Sequence, residues 1–178
     1  MKKYKFWAIL AVFTHIVFVA PTMAQSNTTD PAVFLRRDGG ARSCQGCNLQ
    51  GADLSNQSRV NAQLRQANLS NANFDNSNFR GAFFTCANLS NSTMRKTNFS
   101  FANFVDANLS GVDLSGADLS KTDLSGAIID ERTNFSGANL TGAKLWDAAT
   151  IFRPGMDLNS IPRDYTIESQ RRKCNNRR

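Results

Sequence analysis

From Leu49 onward a large apolar residue returns at every fifth position: Leu49, Leu54, Leu64, Leu69, Phe74, Phe79, Phe84, Leu89, Met94, Phe99, Phe104, Leu109, Leu114, Leu119, Leu124 and Ile129. Arg59 breaks the run once, and an extra residue in Asp130-Glu131-Arg132 shifts it before it resumes at Phe135, Leu140 and Leu145. Two residues before most of these stands a small one, such as Ala62, Ala72, Ser77, Ala82 or Thr97. The unit reads small-polar-large-polar-polar. In an α-helix five residues turn about 500°, so successive large residues drift by about 140° and make no stripe. In a straight strand an odd spacing sends them to opposite faces. The period predicts a chain that turns a corner every five residues, points its small and large residues inward on each side, and buries them by stacking turn on turn.

The stretches ANLSNANFDNSNF, GVDLSGADLSKTDLSGA and GANLTGAKL resemble pentapeptide repeats of the form A(D/N)LXX, and the resemblance runs over roughly residues 47–148. It implies an all-β fold, a right-handed quadrilateral β-helix with four repeats per coil and about five coils. The chain then divides into residues 1–24, a signal peptide; 25–43, an N-terminal flank or cap; 44–148, the β-helix; and 149–178, a C-terminal cap and basic tail. Gln57 and Arg59 fall in inner slots of the first coil, where an unpaired charge is costly. That side is expected to bulge outward or to be covered by the N-terminal flank. The insertion at Asp130 to Arg132 is expected to make one corner protrude. The open ends need covers, for which Pro31 to Ser43 and Ile151 to Tyr165 are the candidates.

The N-terminus bounds the chemistry. Lys2, Lys3 and Lys5 precede an apolar run from Phe6 to Ala20, and Thr22-Met23-Ala24 is a small-x-small cleavage pattern, the signature of a secretory signal peptide. The alternative, a retained anchor, requires a longer span than this run offers. Cleavage removes His15, the single histidine, and with it the commonest general base and metal ligand. The formal charge of +7 falls by three lysines to +4, most of it in the tail through Arg171, Arg172, Lys173, Arg177 and Arg178. The expected location is the periplasm or the exterior of a bacterium, or a thylakoid lumen in a cyanobacterium.

All four cysteines follow the cleavage site, and an oxidising compartment favours disulfides. In the five-residue register Cys44 takes a large inward slot and Cys47 the small inward slot across one corner, within plausible reach of each other. The motifs CxGCxLxxAxL in related proteins add weight to an N-terminal staple. Free thiols, or metal or redox work at this CxxC, are the other readings; no strand and helix N-terminus flank it to lower a thiol pKa. Cys86 falls at a corner pointing outward and Cys174 in the tail, and their pairing stays open.

Outside the column, Phe83, Phe101, Val105 and Trp146 occupy slots that are nominally polar. Four repeats per coil place Phe83, Val105 and Trp146 on one side with Phe101 at its edge, a candidate partner surface. Asp53, Asp113, Asp118 and Asp123 spread around the column as corner residues and suggest no acid/base pair. Arg65, Arg80, Arg95, Lys96 and Lys121 are expected on several sides, with no stripe for specific nucleic-acid binding. With no catalytic constellation and no cofactor motif, the leading reading is an exported, non-enzymatic scaffold for protein–protein interaction, with an unidentified protein partner. An end-to-end homodimer and a basic tail that touches an anionic membrane or polymer are secondary expectations. Two alternatives stand beside it: a thiol-redox or metal-binding protein using the CxxC, and a topoisomerase-binding DNA mimic, which the resemblance to some family members suggests. The mimic needs an acidic, cytoplasmic rod, and this column is near neutral.

Overall fold

Five N–H groups per repeat must find partners, and the column accounts for them one by one. In the repeat around Leu69, the Leu69 N–H donates to Asn88 O and the Asn71 N–H to Ser90 O, both one coil on. The Asn73 N–H donates back to Ala52 O, and the Ala72 N–H closes the corner on Leu69 O. The fifth, Ser70 N–H, goes to the Asn68 side chain at 3.3 Å. The same bond recurs from Ser55 to Asp53, Ser115 to Asp113, Ser120 to Asp118 and Ser125 to Asp123. This is why Asn or Asp precedes the large residue: its short side chain caps the one donor that the ladder leaves over.

The computed structural model describes residues 30–36, 42–145, 149–150 and Cys174. The expected signal peptide, the cap from Ile151 to Tyr165, Trp146 and the tail except Cys174 lie outside the described residues. Parallel bridges join each outer position to its equivalent twenty residues on, as in Ser43 to Gln63, Phe83, Asn103 and Asp123, then to Lys144 past the insertion. Five steps at strand spacing make a quadrilateral β-helix about 24 Å tall. Its sides are led inward by Phe84 and Phe104 (side 1), Leu69 and Leu89 (side 2), Phe74 and Leu114 (side 3), and Phe79 and Phe99 (side 4). The last rung is the short parallel pair β1 (Ile128–Ile129) and β2 (Ala149–Thr150).

Leu54, Leu69, Phe74, Phe79, Phe84, Leu89, Phe99, Phe104, Leu109, Leu114, Leu119, Leu124, Phe135 and Leu140 are all buried in a single core. Its middle is aromatic: Phe84 and Phe104 stack at 4.8 Å, while Phe74, Phe79 and Phe99 meet each other and Phe84 at 5.0 to 6.1 Å. The small slots that carry hydroxyls return them to the ladder, Ser77 to Leu54 O at 2.7 Å and Thr97 to Phe74 O at 2.6 Å. Ser92 is the exception. Its buried Oγ has no partner, a penalty of roughly 1 to 3 kcal/mol. Ala72 and Val112 take the same slot on the coils before and after. Ser92→Ala is therefore expected to stabilise the protein by about 1 kcal/mol, read as a rise in Tm.

The turn between sides has positive φ only at its third residue, as in Asn71 (59°), Gly111 (68°) and Gly116 (67°), the signature of a type II turn. Gly and Asn tolerate that conformation best. Gly81 shows a second constraint: a Cβ there would lie 2.3 Å from the Asn61 side chain that folds over it.

The first coil is closed by α1 (Pro31–Phe34), whose N-cap Asp30 accepts from the Ala32 N–H. Phe34 is fully buried beneath the column. Arg59 stays in its inner slot: its guanidinium donates to Arg36 O at 2.7 Å and to Gln57 Oε1 at 3.0 Å, and lies 4.7 Å from the centre of the Phe34 ring. The flank covers the charge, and the bulge offered as the other outcome does not form.

At the insertion, the Asp130 carboxylate takes over the work of a backbone carbonyl. The Gly111 N–H donates to Asp130 Oδ1 at 2.8 Å, where other corner N–H groups donate to a carbonyl of the next coil. Arg132 and Thr133 bind the same carboxylate. Desolvation opposes its ionisation, but these hydrogen bonds outweigh it and hold its pKa down at about 2.

Candidate interaction surface

The outer positions obey the rules above so regularly that the breaches stand out. Phe83 occupies the slot before Phe84, where Asn or Asp most often caps the donor two residues on; Ile128 is the other large apolar residue in that slot, on side 2. Phe101 occupies a corner position at φ 61°, a left-handed conformation unusual for a bulky side chain. It is also 49% exposed. Both aromatics thus sit where the fold alone would choose a different residue. Phe83 lies on the outer face of side 1, and Phe101 at the corner through which the chain enters that side. Val105, the residue after Phe104 on side 1, is half-buried.

The cations lie at three corners of the column, as the sequence led us to expect, but two of them meet. Arg80 and Lys121 converge on one ring, the Arg80 Cζ 4.9 Å and the Lys121 Nζ 5.1 Å from the centre of Phe101. Arg65 lies 4.4 Å over Phe83 and donates to Gln63. The register explains the convergence, since Lys121 is Phe101's equivalent one coil on and Arg80 sits beside its equivalent one coil back. Applying the coil length to the charged residues as well as the apolar ones would have found it. Arg95 goes elsewhere and pairs with Asp75 on side 3. There desolvation raises the Asp75 pKa, and the hydrogen bonds and charge of Arg95 more than offset it, leaving it lowered. Among the described residues, Arg80 and Lys121 have no carboxylate partner. The acid on side 1, Asp123, accepts at its Oδ1 from the Ser125 N–H and hydroxyl.

The cysteines fall in two pairs. Cys44 and Cys47 lie at disulfide distance across the first corner with Cα atoms 5.3 Å apart, replacing the large and small residues that other corners bury there. Cys86 lies at disulfide distance from Cys174, 88 residues away, with Cα atoms 5.8 Å apart. Cys86 holds a corner with φ 59°, and Asp106 is its equivalent one coil on. The sulfurs of Cys86 and Cys174 and a carboxylate oxygen of Asp106 lie within 4.8 Å of one another, a spacing suited to a metal ion. The two sulfurs lie at disulfide distance, and a bonded pair offers no thiolate to a metal.

A family model for pentapeptide repeats matches residues 60–95, 94–129 and 131–149 in eight copies, together half of the chain. The chain belongs to the pentapeptide-repeat family. Its column is the right-handed quadrilateral β-helix of that family. Solved pentapeptide-repeat structures similar to it include a protein of the Arabidopsis thaliana thylakoid lumen, at 29% identity over 60% of this chain and 70% of that one, with a TM-score of 0.30. One from the cyanobacterium Cyanothece 51142 has 28% identity over 58% and 87%, with a TM-score of 0.33. HetL from Nostoc has 27% identity over 61% and 62%, with a TM-score of 0.34. Among curated proteins none matches this chain. Pentapeptide-repeat columns generally act as structural or interaction scaffolds. Phe83, Phe101 and Val105 with their attendant cations are the best-defined candidate surface on the column.

Proposed function

We propose that this pentapeptide-repeat protein is an exported, non-enzymatic scaffold that holds a protein partner against side 1 and its leading corner, through Phe83, Phe101 and Val105. The observation that carries this reading is Phe101. A half-exposed aromatic in a left-handed corner costs the fold roughly 1 to 2 kcal/mol, and strain of this kind collects at functional positions. The column supplies rigidity, so the ring loses little freedom when it is covered. Export is supported by the N-terminal lysines and apolar run, and by two cysteine pairs placed at bonding distance, an arrangement that persists in oxidising compartments.

Affinity capture from the protein's own compartment tests the reading. Wild type is expected to retain a partner that Phe83→Asn plus Phe101→Asn loses, while Asn98→Asp on side 4 retains it. Equal capture by all three would place the partner elsewhere on the molecule.

A further inference from the structure

Resting on that reading, we infer that the Arg80–Phe101–Lys121 corner recognises an acidic segment of the partner polypeptide, with two of its carboxylates placed on the two cations. The charge centres lie no more than about 10 Å apart, the sum of their 4.9 and 5.1 Å distances to the ring centre. In an extended peptide, side chains two residues apart share a face and are about 6.6 Å apart, so alternate acidic residues fit within that span. The nearest carboxylates along the chain, Asp118 and Asp123 on the two adjoining sides, are hydrogen-bonded to Ser120, Asn139 and Ser125 and form no ion pair with either cation, so both cations stay available to a ligand.

The ring sets the orientation of the ligand. Arg80 arrives from the coil before and Lys121 from the coil after, both over the Phe101 ring. The residue is still 49% exposed, and the rim of its ring is the electropositive part of its quadrupole. Rim and cations therefore present one sign of charge around a small apolar centre. Half-buried Phe83 and Val105 extend the apolar surface along side 1, and Arg65 over Phe83 adds a third cation.

A membrane is the weaker match. Each cation near an anionic bilayer strengthens binding by only about fivefold, so the corner pair gives roughly thirtyfold, little for a protein of this size. A sugar ring stacking on the aromatic face is also disfavoured, because the cations occupy the space over that ring.

The test uses the full protein and a labelled peptide of alternating glutamate and alanine, with fluorescence anisotropy as the readout. Binding is expected to weaken with added salt, and to fall by about tenfold or more in Arg80→Ala plus Lys121→Ala. Phe101→Ala should weaken it as well, and Lys96→Ala, at another corner, should leave it unchanged. Circular dichroism of each variant separates lost binding from lost fold. The inference is overturned if the glutamate peptide does not bind, if the double variant binds it equally well, or if phosphatidylglycerol vesicles or polygalacturonate bind at this corner and the peptide does not. If the peptide fails while partner capture still depends on Phe101, the scaffold reading stands and the acidic ligand is wrong. If both fail, the surface itself is misassigned.

Discussion

Phe79→Asp abolishes cooperative folding, while Asn78→Asp leaves the melting curve almost unchanged. These neighbours differ in direction alone. Phe79 is fully buried, with its ring 5.0 Å from Phe74 and about 6.0 Å from Phe84 and Phe99. Removing a buried aromatic ring costs about 3 to 5 kcal/mol, and a carboxylate in its place adds the desolvation of a charge with no partner. Against a total stability of about 5 to 15 kcal/mol, that is disabling. Asn78 points outward and its Oδ1 accepts the Arg80 N–H at 3.1 Å. Aspartate keeps that acceptor, as Asp113 and Asp118 do at equivalent places. Thermal unfolding by circular dichroism checks the pair. Similar curves for both variants would contradict the inward assignment.

Cys174→Ser destabilises the protein far more than loss of the CxxC bridge does. The two bridges close loops of very different length, with sequence separations of 88 and 3. On the loop-entropy model these correspond to about 4 to 5 kcal/mol and about 2 kcal/mol respectively. The smaller loss can be repaired, because other corners already show what belongs there. Cys44→Leu plus Cys47→Ala restores the large and small pair seen at Leu64 and Ala67, both fully buried. That double variant is expected to stay within about 1 kcal/mol of wild type. Denaturant titration under non-reducing conditions measures both. A larger loss from the repaired CxxC than from Cys174→Ser would overturn the ranking.

The fold was legible because one period carries it. Every fifth residue inward leaves no freedom about which side chains form the core, and even the misfit at Arg59 pointed to a cover, which α1 supplies. The function of the residue before Leu is legible too, once the five N–H groups are counted. Other features needed three dimensions. The partner of Cys86 lies beyond the repeats, where the register no longer predicts position. Asp130 substitutes for a carbonyl because the inserted residue changes the corner, which the five-residue period does not encode. The meeting of Arg80, Phe101 and Lys121 was available from the coil length, but offsets of 21 and 20 residues are invisible to a reading that looks only along the chain. The clearest sequence signal for the surface was its violation of the pattern: aromatics at slots built for Asn, Asp or Gly.

On the proposed function, Phe101 is kept for binding at the expense of the fold. Thermal unfolding of Phe101→Asn tests it most directly, since asparagine suits the left-handed corner, as Asn91 and Asn76 do with φ of 56° and 57°. Relief of about 1 to 2 kcal/mol of strain should offset the two lost cation–π contacts, about 0.5 to 1 kcal/mol each at an exposed site. The expected result is a Tm unchanged or raised by about 2 °C. A fall of more than about 4 °C would show that the ring serves the column itself, and would contradict the claim.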